Sequence, residues 1–288
     1  MKERFAESEL ILNADGSIYH LNLHADEIAN TVITVGDPQR VSAVSRHFDK
    51  IEVQKAKREF MTHTGELNGQ RLTVMSTGMG PGNIDIFMNE LDALANIDLS
   101  NRTLKSTATS LNIIRLGTSG SIHPDIHPGD YLVSAYAVGL DTTLTFYAAN
   151  VSDQFQHFMT RHDNPNLHHY QTAADPYLNR ALFKKEKRGV TLTTPGFYAA
   201  QNRSLRLPYS KNLYLNKLHT CEVEGMPFTN LEMETASIYY FAELLGHRAL
   251  SLNCILANRL HGTFSKKPKA DVDEMIKYAL REITNQKK

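Results

Sequence analysis

The sequence predicts an α/β fold, and three observations carry that prediction. Short apolar runs rich in β-branched residues recur along the chain, and each is flanked by a glycine or an aspartate. Strand, loop and helix patterns then follow one another in the first half and again near the end. The third is size: 288 residues, 41% of them hydrophobic, are enough to bury a sizeable core.

In chain order, residues 31–35 read as a buried strand closing on Gly36, residues 71–77 as one closing on Gly78, and residues 111–116 as one closing on Gly117. Between the last two, residues 96–110 are rich in Ser, Thr and Asn and read as a surface loop. Gly129 and Asp130 introduce a strand over 131–138, and 190–194 and 249–257 give two more. Residues 141–189 are the least regular stretch. A helix is expected to begin within 230–233 and run to Leu245, because Gly246 stands where a left-handed C-cap belongs. The final helix is the clearest, with Val272, Met275, Ile276, Ala279, Leu280 and Ile283 on one face at steps of three and four. Length alone suggests two domains at roughly 150 residues each. No Pro/Gly/Ser-rich linker splits the chain, so one domain over 1–288 with a core from about residue 17 is expected.

Composition closes off several functions. Equal numbers of basic and acidic residues, 31 each, remove the long-range attraction that recruits nucleic acid. The first ten residues lack the apolar segment of a signal peptide, and no stretch approaches the ~18 apolar residues of a membrane span. Cys221 and Cys254 form neither a disulfide framework nor a C-x-x-C pair, so a cytoplasmic protein is expected. Gly78-Met79-Gly80-Pro81-Gly82 fails the dinucleotide fingerprint at Asn83, there is no phosphate-loop motif, and Ser119 lacks the context of a nucleophile elbow. Among thirteen histidines, His123 and His127 have a helical zinc spacing, but Pro124 and Pro128 interrupt any helix. No metal is expected.

What remains is arginine beside glycine turns. Gly36-Asp37-Pro38-Gln39-Arg40 and Arg115-Leu116-Gly117-Thr118-Ser119-Gly120 each place a guanidinium next to a predicted strand end, where fork geometry and turn amides suit phosphate oxygens. For Arg40 a helix-surface role, and for Arg115 a structural ion pair, are equally open at this point. Glu232-Met233-Glu234 sits at a predicted helix start, where the dipole alone favours acids; used functionally, such carboxylates would accept from sugar hydroxyls.

In combination these segments resemble the nucleoside phosphorylase superfamily, and within it the uridine phosphorylases. The motifs are GDPQR at 36–40, REF at 58–60, STGMG at 76–80, RLGTSG at 115–120 and NLEMETA at 230–236, in the family's order. The resemblance implies a single-domain nucleoside phosphorylase fold, a mixed central sheet flanked by helices. It further implies phosphorolysis of a pyrimidine nucleoside in nucleoside salvage, a pentosyl transfer with inorganic phosphate as co-substrate and no cofactor. Carried over, Gly36, Arg40, Arg58, Arg115 and Thr118 would hold phosphate, Arg58 from a neighbouring subunit. His20 would likewise reach a neighbour's sugar, which Met233, Glu234 and Glu232 would seat. Ser119, Gly120, Phe197, Gln201 and Arg203 would line the base. The Gln201-Asn202-Arg203 stretch is similar to the pair that reads uracil, whereas purine-cleaving relatives carry a Ser-Asp pair where this chain has Ala257-Asn258-Arg259. Catalysis would rest on Arg203, Gln201, Glu234 and Arg115, in a homo-oligomer whose sites are shared across a dimer interface. Gly80-Pro81-Gly82-Asn83 departs from the family's Gly-Gly-Pro-Ser, a region associated with a potassium site beside Glu59. A purine or modified-nucleoside phosphorylase, a hydrolytic nucleosidase and a silent nucleoside-binding protein are the alternatives.

Overall fold

A computed structural model describes residues 4–147, 153–162 and 164–285. The fold is a mixed α/β one with a central sheet flanked by helices, as the sequence predicts. Its residues fall into two compact units, the first made of 1–79, 83–114 and 241–249 and the second of 80–82, 115–240 and 250–288.

The first unit holds β1 (Thr31–Val35), α1 (Pro38–Ser45), β2 (Lys50–Lys57), β3 (Phe60–Leu67), β4 (Gln70–Ser76), most of α2 (Pro81–Asn96) and the short pair β5 (Ile97–Asp98) and β6 (Thr103–Leu104). β1 runs parallel to β4, and β4, β3 and β2 are antiparallel. Helix α1 starts where Asp37 accepts from the Gln39 amide and Pro38 occupies the first turn, so Gly36-Asp37-Pro38 is a strand end followed by an N-cap. Its core packs Val32, Ile33, Val41, Val44, Val74, Phe87 and Leu91 out of water. Residues 96–110, expected to be loop throughout, contain the β5–β6 hairpin. Asp98 organises its turn by accepting from Ser100 and Asn101, which hold its carboxyl down to about 2.

The second unit continues with most of β7 (Asn112–Ser121), β8 (Tyr131–Gly139), α3 (Asp153–Arg161), β9 (Tyr170–Ala173), α4 (Pro176–Ala181), β10 (Lys187–Thr193), α5 (Leu215–Leu218), β11 (Glu222–Val223) and β12 (Met226–Glu232). It ends with the first half of α6 (Thr235–Leu245), most of β13 (Arg248–Asn258), β14 (Thr263–Phe264) and α7 (Pro268–Thr284). Strands β12, β10, β8, β13 and β7 are neighbours in that order, and β12 also pairs with β7 through Asn230↔Ser121 and Leu231↔Gly120, so the five close into a ring. An apolar cluster including Val138, Phe155, Met159, Val190, Leu192, Leu218 and Phe228 packs one side.

Two expectations are corrected. The run ending at Gly117 is not followed by a turn: β7 carries on to Ser121, where Gly120 and Ser121 pair with β12, and residue 117 is glycine because a Cβ there would lie 1.7 Å from Nη1 of Arg115. The helix expected from within 230–233 begins at Thr235, since residues 226–232 extend alongside β10 as a parallel strand. Its end is as expected: Gly246 has φ +75°, His247 N–H donates to Ala242 O at 2.7 Å and Gly246 N–H to Glu243 O. Part of the irregular 141–189 stretch, residues 148–152 and 163, lies outside the described residues; the rest is short elements, α3, β9 and α4.

Candidate active site

Inside the ring of the second unit each strand contributes a polar side chain, and these join hand to hand. Ser134 on β8 meets Thr191 on β10 at 2.5 Å, Thr191 donates to Asn230 on β12 at 2.8 Å, and Asn230 donates to Ser119 on β7 at 2.9 Å. Asn253 on β13 donates to Ser134 at 3.1 Å and accepts from Arg115 on β7 at 2.9 Å. Buried hydroxyls and amides are tolerated only when so paired. The network ends on one guanidinium.

Arg115 is buried, and strand alternation puts it on the same side of β7 as Gly117, whose missing side chain gives the guanidinium its room. Its Nη2 contacts Glu232 Oε2 at 2.8 Å and Glu234 Oε2 at 2.7 Å. Burial opposes the charge on Arg115, but the two carboxylates outweigh it and hold its pKa above the ordinary value. Glu234 moves the other way, since burial and the neighbouring Glu232 push its carboxyl up against the pull of Arg115 and the Gly80 amide.

Each acid has a distinct second task. Glu232 accepts the Glu234 and Thr235 amides at 2.9 Å and the Thr193 hydroxyl at 2.6 Å, so it caps the start of α6. Glu234 Oε1 accepts from the Gly80 amide at 2.9 Å, and Gly80 adopts φ +92°, a conformation glycine reaches without strain. Met233 is half-buried between them, its Cε 4.0 Å from a Cβ built on Gly80. Two carboxyls face one guanidinium, and their remaining acceptor positions suit donors such as sugar hydroxyls.

A second group lies in the same unit. Gln201 is buried, its Nε2 donates to Thr194 Oγ1 at 2.9 Å, and its Oε1 accepts from Arg203. The Arg203 guanidinium stacks 3.8 Å over the Phe197 ring and donates to Phe197 O at 2.9 Å. Arg259 donates to Gln201 O at 3.1 Å. Burial and the like charge of Arg259 bring Arg203 down to about 10. Neither arginine pairs with a carboxylate among the described residues. Two half-buried cations side by side without an acid form a receptor for negative charge.

Of the remaining expected residues, Thr118 is half-exposed on β7, Ser119 takes the Asn230 hydrogen bond, and Gly120 lies in the β7–β12 pairing. In the first unit Gly36 and Arg40 flank the start of α1, while Arg58 is exposed at the β2–β3 turn with φ +54°. His20 is held by Glu90, with Nδ1 2.6 Å from Oε1. Asn83 and the Glu59 side chain crowd the same point beside Gly78, and the Asn83 amide nitrogen donates to Met79 O. Thr193, Asn253, Arg259 and Glu90 were not anticipated. For Asn253 the signal was present: Ser251 and Asn253 interrupt an otherwise apolar strand at alternate positions.

Residues 30–284 match the model of the Phosphorylase superfamily. The chain belongs to that superfamily. Similar members include a uridine phosphorylase of Thermococcus kodakarensis, 28% identical over 92% of this chain and 86% of its own, and a DeoD-type purine nucleoside phosphorylase of Bacillus velezensis, 26% identical over 92% and 99%. A solved nucleoside phosphorylase of Trypanosoma brucei, which shows uridine phosphorylase activity, superposes with a TM-score of 0.84 at 28% identity, covering 95% of this chain and 99% of that one. The superfamily member described here is therefore an enzyme of the nucleoside phosphorylase, or pentosyltransferase, type.

Proposed function

We propose that this phosphorylase cleaves uridine with inorganic phosphate, giving uracil and ribose 1-phosphate. The observation that carries the reading is the Gln201–Arg203 pair on Phe197, with Arg259 beside it and, among the described residues, no acid to neutralise either arginine. Uracil offers acceptor, donor and acceptor along O2, N3 and O4, which one side-chain amide and one guanidinium can match. The ring of Phe197 and the Ser119–Gly120 stretch give it apolar and close-packed surfaces.

In the reaction a phosphate oxygen forms a bond to C1′ as the C1′–N1 bond breaks, and the bonding pair departs on uracil, which takes a proton from water. Negative charge on the base is largest in the transition state, so preorganised cations act there more than on bound uridine. Glu234 is proposed to accept from the ribose hydroxyls, with Met233 against the sugar and Glu232 holding the start of α6. In this structure both Nη atoms of Arg115 are engaged by Glu232, Glu234, Asn253 and Ser251. Phosphate at Arg115 and Thr118 would displace Glu234 from the guanidinium, freeing its carboxylate for the sugar. Phosphate-binding roles for Gly36 and Arg40, and roles for Arg58 and His20 toward the site of a second copy, complete the proposal.

The test is an assay of base release from uridine, thymidine, inosine and adenosine with phosphate present. Uridine should have the highest kcat/KM; preference for a purine nucleoside would replace this reading with a purine one.

A further inference from the structure

His20 belongs to a tight loop whose construction exceeds what a surface loop needs. Ile18, Leu21 and Leu23 anchor it in the core, Ile18 N–H donates to Leu23 O and Asn22 N–H to Ile18 O, and Asn22 turns it with φ +56°. Lys57 on β2 binds Tyr19 O at 2.5 Å and sits 4.3 Å over the Tyr19 ring, which meets the His20 ring edge-on at 4.7 Å. From α2, the mostly buried Glu90 accepts the His20 amide at 2.9 Å and the Leu21 amide at 2.9 Å on Oε2, and the His20 ring at 2.6 Å on Oε1. One carboxylate thus fixes the backbone and the ring together.

An ionised carboxylate only accepts, so the ring nitrogen facing it must carry the proton. Neutral His20 is then the Nδ1–H tautomer. Its Nε2 is an acceptor, and it has no partner among the described residues. We propose that Glu90 is a positioning residue that sets this tautomer, so that His20 Nε2 selects a ligand group that donates, the 5′-hydroxyl of the nucleoside bound by a second copy of this chain. The hydroxyl rests on the function proposed above; the tautomer does not. The pattern is that of a carboxylate orienting an imidazole through the nitrogen opposite the one that works.

Glu90→Gln separates this from a scaffold role. Its amide oxygen can still take the loop amides, but its NH2 would face Nδ1 and move the ring proton to Nε2, turning the acceptor into a donor. Two readouts follow. In histidine-¹⁵N-labelled protein at alkaline pH, the His20 resonances, identified by their loss in His20→Ala, should show Nδ1–H in the wild type and Nε2–H in Glu90→Gln. An Nε2–H ring in the wild type overturns the proposal, and that spectrum needs neither nucleoside nor variant. In kinetics, the wild type should discriminate strongly against 5′-O-methyluridine, which can only accept, and Glu90→Gln should narrow the uridine to 5′-O-methyluridine ratio of kcat/KM by about tenfold, the size of one hydrogen bond. A variant that slows both substrates equally assigns Glu90 to scaffolding alone and contradicts the proposal. Absence of turnover on any nucleoside removes the 5′-hydroxyl together with the proposed function, while the ring spectrum reports on Glu90 separately.

Discussion

Arginines in this protein do opposite things according to what surrounds them. Arg115 is matched by two carboxylates, so removing it strands Glu232 and Glu234 in a buried site. Arg115→Ala should lower the unfolding free energy by about 3–5 kcal/mol, and adding Glu234→Gln should recover part of that loss, because one of the stranded charges is gone. Urea denaturation of the three proteins checks both statements. Arg203 has no acid to strand among the described residues, so its loss should cost less stability than that of Arg115, about 1 kcal/mol for the partner lost by Gln201 Oε1, and act chiefly on turnover. Arg203→Ala should reduce kcat/KM for uridine by about 10²–10³, the cost of one oriented donor at a developing anion. Inosine turnover, if any, should fall less; equal losses on both would break the link between Arg203 and the pyrimidine.

Elements matter here through the space they leave. On β7, Arg115 and Gly117 share a face, and a methyl at Gly117 would lie 2.4 Å from the Arg115 Cζ. Gly117→Ala should therefore cost about 1–3 kcal/mol in denaturant unfolding and impair activity although it changes no polar group. The same strand shows why the sequence was only partly legible. Apolar runs marked β1, β4, β8, β10 and β13, since each is a continuous buried strand. The R-x-G pattern looked like a strand end because glycine more often signals a turn than a side-chain berth. Residues 230–233 read as a helix start because Glu232 and Glu234 satisfy the helix dipole, and only the long-range pairing of β10 with β12 reveals that Glu232 is still strand. Strands β2 and β3 were missed, their faces being too mixed to announce a period. Within the β5–β6 turn, Asp98 is depressed from 3.8 to about 2, so its stabilisation is present above pH 3.8 and lost as pH falls toward 2. Asp98→Asn should flatten acid unfolding in that window.

At the scale of the molecule, zero net charge coexists with local charge that is far from balanced. The Arg115 cluster sets two carboxyls against one guanidinium, and the Arg203–Arg259 pair has no acid against it among the described residues, within a chain of 31 bases and 31 acids. Recognition of this kind is short-range, which fits a small anion-generating reaction better than a polyanion. If Arg58 works in a partner's site, subunits carrying Arg58→Ala and Arg203→Ala are each inactive alone. Dissociated and randomly reassembled, they should regain about a quarter of wild-type activity, because half the dimers are mixed and each has one intact site. No recovery would place Arg58 in its own subunit. The central claim, phosphorolysis of uridine, is tested most directly by measuring uracil release with and without inorganic phosphate. Phosphorolysis predicts uracil and ribose 1-phosphate in equal amounts with phosphate and no release without it; uracil released at the same rate in phosphate-free buffer would contradict it.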